Sequence, residues 1–138
     1  MIVLVCGDRH WSDLEYEFDV LDDIHEHYGI TKIIEGCANG ADRIAGWPCP
    51  DIIKKATINH QTIHAPDGWA KTRGIEVDHN PADWDKHGKA AGPIRNVVML
   101  KKKPEMVVAF HKSLNTSKGT KHMVKIAREK GIYTVVFP

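Results

Sequence analysis

Two short runs, residues 2–6 and 106–110, are apolar throughout and most constrain how this chain folds. Both are rich in β-branched or aromatic residues and too short for a long buried helix, so each predicts a strand. Because neither run alternates apolar with polar residues, both strands need cover on two faces. Such cover is typical of central strands in a parallel sheet with helices on either side.

Strand-like and helix-like segments alternate along the whole chain. Residues 32–35, 75–79 and 133–137 predict three further strands, and the segments between them carry apolar residues at helical spacing. This order predicts one Rossmann-like, doubly wound α/β domain of about five parallel strands with helices on both faces. The alternation within residues 75–79 places that strand nearer a sheet edge.

Composition narrows the class of protein. The 138 residues are 42% hydrophobic and 27% charged, which is ordinary for one globular domain. A net charge of +1 gives no case for nucleic acid or an anionic membrane. No apolar stretch is long enough to span a bilayer, and the first residues resemble a strand rather than a signal peptide. Three cysteines without C-x-x-C spacing favour free thiols in a reducing cytoplasm.

The turn Ser117-Lys118-Gly119-Thr120 follows the apolar run at 106–110 and precedes a helical segment. Ser117 can cap that helix, whose first N–H groups lack internal partners and face an anion-attracting dipole. Gly119 permits close approach of a phosphate, and Thr120 adds a hydroxyl. The turn predicts a phosphate site, and the alternative is a capped surface helix.

The junction after the first strand also predicts ligand contacts. Gly7 marks a sharp turn or a close backbone approach, and Arg9 follows at the carboxyl end of the sheet, where open α/β folds bind ligands. Asp8 lies between them. Ser12 or Asp13 caps the next helix, which is expected to end near Tyr28-Gly29. Trp11 either stacks on a planar ring or anchors the loop in the core.

The junction after the second strand is similarly rich in small residues. Gly36 and Gly40 let the backbone bend towards a ligand, with Asn39 between them, and Asp42 caps a helix or takes a ribose hydroxyl. Cys37 is interpreted as a small packing residue rather than a nucleophile, because no base lies beside it in sequence.

A later helix presents two more candidates. Pro93 opens it, and Arg95 and Asn96 lie in its first turn, where they can point at a ligand. The alternative for Arg95 is a surface ion pair. The apolar side of this helix consists of Ile94, Val97, Val98 and Leu100.

Residues 47–68 are the least regular part. Prolines at 48 and 50 break any helix begun at Asp42, and apolar residues from 52 to 58 indicate a short helix or strand. His60 and His64 would suit zinc only on a helix, which residues 59–66 do not favour. The sequence therefore predicts neither a metal site nor a cofactor.

Four blocks together resemble a known family: GDRHWSD at 7–13, GCANGAD at 36–42, the stretch 84–99 that ends in GPIRNVVM, and the stretch 109–120 that begins with AFH and ends in SKGT. They resemble the YspA-like SLOG family of the LOG/DprA-type Rossmannoid proteins, which is common in bacteria and their phages. The resemblance implies a nucleotide-derived ligand related to NAD or ADP-ribose, and a homodimer paired through helices beside the pocket. Residues 47–68 depart from the family pattern and are interpreted as an insertion.

The resemblance also bears on catalysis. LOG phosphoribohydrolases carry an Arg that Arg95 resembles and a Gly-Thr pair that Gly119 and Thr120 resemble. Their catalytic Glu corresponds here to Met123, so the carboxylate that this hydrolysis needs is missing. Asp8, Glu35 and His122 are the candidates to replace it.

Three functions remain open. The first is a sensor or sequestering protein for a nucleotide-derived ligand, the second a LOG-type nucleotide N-glycosidase, and the third a ligand-free scaffold for protein partners. The predicted ligand residues are Gly7, Arg9, Trp11, Gly36, Asn39, Gly40, Asp42, Arg95, Asn96, Ser117, Gly119 and Thr120.

Overall fold

The predicted strands form one parallel sheet in a computed structural model that describes residues 1–138. The sheet order is β3-β2-β1-β4-β5, so the third strand lies at an edge, as its alternation predicts. The strands are β1 (Ile2–Gly7), β2 (Lys32–Glu35), β3 (Glu76–His79), β4 (Met106–Phe110) and β5 (Tyr133–Phe137).

Helices connect these strands as crossovers. They are α1 (Leu14–Tyr28), α2 (Ala41–Gly46), α3 (Pro50–Ile58), α4 (Trp69–Arg73), α5 (Trp84–His87), α6 (Ala91–Lys101) and α7 (Gly119–Glu129). Two single-turn 3₁₀ segments lie at Gly88–Ala90 and Leu114–Thr116. None of the helices combines the length and the apolar character needed to cross a bilayer.

Two cores, one on each face of the sheet, confirm the doubly wound arrangement. On one face, Val3, Val5 and Val108 pack against α1, α2 and α4. On the other face, Leu4 and Val107 pack against α6 and α7. Successive residues of a strand point to opposite faces, so an unbroken apolar run supplies both cores at once.

Side chains and glycines set the ends of α1 where the sequence places them. The Asp13 carboxylate accepts the Tyr16 N–H at 3.0 Å, which makes Asp13 the N-cap. Gly29 ends the helix in the left-handed conformation with φ of 68°.

The exposed side of α6 differs from the prediction. Of the apolar residues assigned to one side, only Leu100 is buried, whereas Ile94, Val97 and Val98 are 40%, 38% and 44% exposed. The helix buries Met99, Leu100 and Asn96 instead. The sequence prediction failed because α6 carries apolar residues on all its sides. Their spacing alone therefore does not identify the side that faces the sheet.

Residues 47–68 leave the domain and return to the same point. The Gly68 N–H donates to the Trp47 carbonyl at 2.8 Å, so the two ends of the segment lie side by side. That the segment is an insertion in the family stays a prediction. Within it, residues 50–58 form α3, and residues 61–68 have no regular structure. His60 and His64 therefore do not share a helix.

Candidate functional site

A cleft of about 500 Å³ lies at the carboxyl edge of the sheet. The loops that follow β1, β2 and β3 line it, together with α3 and Arg95 of α6. Because α6 begins at Ala91 rather than at Pro93, Arg95 lies in its second turn and not in the predicted first turn. The cleft lies over the β3-β2-β1 half of the sheet, at the carboxyl edge where open α/β sheets bind ligands. Four predicted ligand residues line the cleft: Arg9, Gly36, Asn39 and Arg95.

The charged side chains of the cleft are mainly basic. Arg9, Arg43, Lys55 and Arg95 line it, against the carboxylates of Asp51 and Asp83. The Arg95 Nη1 donates to the Gly36 carbonyl at 2.7 Å, and its buried Nε has no partner in the protein. Because Arg95 forms no ion pair, the alternative of a surface salt bridge is wrong.

Trp84, rather than Trp11, presents an aromatic ring in the cleft. Trp84 lines the cleft and is 58% exposed, whereas Trp11 is buried against Phe110 and Tyr16. Trp11 is thus the core anchor of the β1–α1 loop, and its predicted stacking on a ligand would require the core to open. Sequence alone could not rank the two rings because each follows a strand and precedes a helix.

At the glycines after β1 and β2, the space that a side chain would fill is occupied by other parts of the protein. A Cβ at Gly7 would overlap the Phe110 carbonyl, and one at Gly36 would overlap the Arg95 guanidinium. Gly40, with φ of 78°, packs on the backbone of Asp8 and Arg9. These contacts join the loops around the cleft, a role that the prediction of a close ligand approach did not include.

Asp42 forms hydrogen bonds to the backbone of the loop that follows β2. Its carboxylate is buried and accepts the N–H groups of Gly36 at 3.1 Å and Ala38 at 3.4 Å. The N-cap of α2 is Gly40, so Asp42 is not the predicted cap. Burial raises the pKa of Asp42 to about 7, with the Glu35 charge adding to this effect and Arg95 opposing it. A contact to a ribose hydroxyl would require this network to open.

Asn96 is likewise buried and bonds within the protein rather than facing the cleft. It is buried, and its Nδ2 donates to the Gly119 carbonyl at 3.2 Å and lies 3.1 Å from the His122 Nδ1. It therefore joins α6 to α7, and it does not line the cleft.

The Ser117–Thr120 turn forms a helix start, with Lys118 rather than Ser117 at the N-cap. The Thr120 N–H donates to the Ser117 Oγ at 3.1 Å, so one donor predicted for phosphate already has a partner. Ser117, Gly119 and Thr120 lie outside the cleft lining. A phosphate site at this turn remains a prediction.

The three candidate catalytic residues also lie outside the cleft lining. The Asp8 carboxylate accepts the His10 N–H at 2.8 Å, Glu35 is fully buried, and His122 contacts Asn96. Met123, at the position of the missing carboxylate, is buried in the core between α7 and the sheet.

Below the cleft, the fold gathers a cluster that sequence reasoning missed. Glu35, Cys37, Cys49 and His79 bring an oxygen, two sulfurs and a ring nitrogen within 4.8 Å of one another. Cys37 also lines the cleft. The sequence did carry one sign of this cluster: Glu35 is the last residue of β2 and His79 is the last residue of the neighbouring β3.

The ionisation of the cluster is strongly perturbed. The neighbouring Cys37 thiol lowers the pKa of the Cys49 thiol to about 7, against the effect of burial. The hydrogen bonds to Cys49 and then to Glu35 raise the pKa of His79 to about 10. The hydrogen bond to Cys49, together with burial, raises the pKa of Cys37 far above that of a free thiol.

The parallel sheet, with helices on both faces and glycine-rich loops at its carboxyl edge, defines a Rossmann-like protein. The chain belongs to the YspA, cpYpsA-related SLOG family, whose model matches residues 1–47. The Gene 61 protein of Mycobacterium phage D29 is 32% identical over 142 residues, which span 98% of this chain and 94% of that relative. No solved structure matches the chain significantly.

Proposed function

We propose that this protein binds a nucleotide-derived ligand in the cleft at the carboxyl edge of the sheet, as a sensor or sequestering protein. One observation carries the proposal: four basic side chains and one exposed aromatic ring line the same cleft. Guanidinium groups bind phosphate through paired hydrogen bonds, and an exposed indole can stack on a base. Membership of the SLOG family supports the same class of ligand.

Within this proposal, Arg9, Arg43 and Arg95 bind the phosphate groups and Trp84 binds the base. Arg43 is partly fixed already, because its Nε donates to the Cys37 carbonyl at 3.2 Å. The buried Arg95 Nε, which lacks a partner in the protein, is a further donor close to the cleft.

Calorimetry with adenosine, AMP, NAD and ADP-ribose tests the proposal. A charge-assisted hydrogen bond contributes about 1.5–3 kcal/mol, so we expect the phosphate-bearing ligands to bind at least about tenfold more tightly than adenosine. Arg9→Ala should weaken their binding, whereas Arg128→Ala, an exposed arginine on α7, should not. Failure of all four ligands to bind at millimolar concentration would refute the proposal. Release of free base at turnover rates would replace binding alone with the N-glycosidase alternative.

Trp84→Ala should weaken the binding of AMP by about 5- to 150-fold, because stacking on an aromatic side chain contributes about 1–3 kcal/mol per base. Ribose 5-phosphate, which has no base, should bind wild type and variant equally. Tyr133→Ala is the matched control, since Tyr133 is 66% exposed at the amino end of β5, away from the cleft. Equal loss for both ligands would contradict a stacking role.

We further propose that two copies pair through α6. Ile94, Val97 and Val98 form an exposed apolar stripe at helical spacing, beside the Arg95 that lines the cleft. The sequence offers Trp47, Ile52 and Ile53 in the 47–68 segment as extra apolar surface for this pairing. Trp47 is buried and Ile52 packs against it, whereas Ile53 is 40% exposed. The stripe on α6 is therefore the main proposed contact, and of the three residues in the 47–68 segment only Ile53 adds exposed apolar surface.

Sedimentation at micromolar concentration should give a particle of twice the 15.5 kDa chain mass. Val97→Glu should reduce it to a single chain without changing the helical content, because a charge on each side of a two-fold contact opposes its burial. Tyr28→Glu, at an exposed position on α1, is the control and should stay dimeric. A wild-type mass of one chain would rule out the dimer.

A further inference from the structure

Four potential metal ligands from three separate chain segments converge on one point. The Cys37 Sγ lies 3.3 Å from the Glu35 Oε1 and 3.6 Å from the His79 Nδ1. The Cys49 Sγ lies 3.8 Å from the Glu35 Oε1. A tetrahedral Zn²⁺, with Zn–S bonds of about 2.3 Å and Zn–N or Zn–O bonds of about 2.0 Å, holds its ligand atoms about 3.3–3.8 Å apart. The contact of 2.5 Å between the Glu35 Oε1 and the His79 Nδ1 is shorter than this spacing.

The backbone explains why these atoms meet. Glu35 and His79 are register partners on the parallel strands β2 and β3, so their side chains lie next to each other. Cys37 follows two residues after Glu35 and adopts a φ of 57°, which is uncommon for a residue other than glycine. Its N–H donates to the Glu35 Oε2 at 2.6 Å and holds the carboxylate in place. Cys49, fully buried just before α3, comes from the 47–68 segment.

We propose that Glu35, Cys37, Cys49 and His79 bind one Zn²⁺ ion. Two thiolates and an imidazole favour zinc over Mg²⁺ or Ca²⁺, which prefer oxygen ligands. The Glu35 Oε1 and the His79 Nδ1 complete the tetrahedron, while the Oε2 keeps its bond to the Cys37 N–H as outer support. Both cysteines bind as thiolates and His79 binds through an unprotonated Nδ1, so metal binding releases to solvent the thiol protons and the proton shared between the His79 Nδ1 and the Glu35 Oε1.

Four protein ligands leave no open position, so this zinc is structural rather than hydrolytic. It joins α3 and its preceding turn to the ends of β2 and β3. It also fixes Cys37, which lines the cleft and whose carbonyl accepts the Arg43 Nε. The site thus stabilises one wall of the cleft, but its existence does not depend on the nature of the ligand bound there.

The first test uses the wild-type protein purified without chelator under reducing conditions. We expect one zinc per chain by mass spectrometry of the metal. After removal by chelator, titration with Co²⁺ should saturate at one equivalent, with the visible bands of tetrahedral cobalt and a thiolate charge-transfer band. Added Zn²⁺ should raise the melting temperature of the metal-free protein.

Two results with wild type would overturn the proposal. One is a cobalt spectrum without a thiolate band at any stoichiometry, which would leave the four residues as a hydrogen-bonded cluster. The other is a disulfide between Cys37 and Cys49, seen by peptide mapping of the protein isolated under reducing conditions. Neither measurement depends on the folding of a variant.

Cysteine variants provide the matched comparison. Cys37→Ser and Cys49→Ser should each lose stoichiometric Co²⁺ binding and weaken the thiolate band. Cys6→Ala replaces the third buried cysteine, which lies on β1 outside the cluster, and should retain the full spectrum. Retention of the spectrum in both serine variants, or its loss in Cys6→Ala at unchanged helical content, would refute the assignment.

Discussion

Gly40→Ala is expected to lower the free energy of unfolding by about 3 kcal/mol or more. Gly40 has φ of 78° and ψ of −127°, a conformation that side chains strongly disfavour. A Cβ there would also overlap the carbonyl of Asp8 and contact the backbone of Arg9 at 2.7 Å. The neighbouring Ala41 N–H donates to the same Asp8 carbonyl at 3.2 Å, so this packing holds the first two loops together. Denaturant unfolding of both proteins measures the loss.

Gly74→Ala separates backbone strain from steric overlap. Gly74 has φ of 69°, but a Cβ there would contact nothing within 4 Å. Gly74→Ala should lower the free energy of unfolding by about 1–2 kcal/mol, because only the left-handed backbone conformation is unfavourable for alanine there. If Gly40→Ala is no more destabilising than Gly74→Ala, the two loops are not packed as described.

Glu17→Met is expected to raise the free energy of unfolding at pH 8 by about 1–3 kcal/mol. The Glu17 side chain on α1 is fully buried, and neither of its carboxylate oxygens has a hydrogen-bond partner in the protein. Methionine matches its length and carries no charge that burial would penalise. Thermal or denaturant unfolding across a range of pH checks the prediction.

The gain should depend on pH in one direction. Burial, and secondarily the charge of Asp42, raise the pKa of Glu17 well above its ordinary value. The folded state therefore binds this proton more tightly than the unfolded chain, whose glutamate pKa is about 4.3. The free energy of unfolding of the wild type therefore falls as the pH rises above that value. Glu17→Met has no carboxylate at this position, so its stability lacks this pH-dependent loss. The advantage of Glu17→Met should thus shrink towards pH 4.

Glu15→Met provides the control on the same helix. Glu15 is exposed in the first turn, where a negative charge is mildly favourable. Its replacement should give no gain at any pH. An equal gain in both variants would show that methionine helps α1 generally and that burial of Glu17 is not the cause.

Local chemistry made most of the fold predictable. Unbroken apolar runs identified β1 and β4 as central strands, because a parallel strand must be apolar on both faces. Asp13 and Gly29 identified the ends of α1, because a capping carboxylate and a left-handed glycine act within one helical turn. The 47–68 segment was harder to predict, since its prolines and polar residues interrupt any regular spacing of apolar residues.

The candidate site was predictable only in part. Arg9 and Arg95 follow directly from their positions after β1 and at the start of α6, and both line the cleft. Trp11 and Asp42 are buried instead. Whether a loop side chain turns outwards or inwards depends on space in the core, and adjacent sequence does not contain that information.

The sequence by itself determined the class of fold, the strand-end loops and the family, because each depends on residues close together in the chain. Only the tertiary structure decided which tryptophan faces the cleft, which side of α6 is exposed, and that Glu35 and Cys37 meet Cys49 and His79. Strand register brings Glu35 beside His79 across 44 positions of sequence, and the 47–68 segment then carries Cys49 to them. Such convergence is set by the order of strands and the path of a connection, which no local pattern contains.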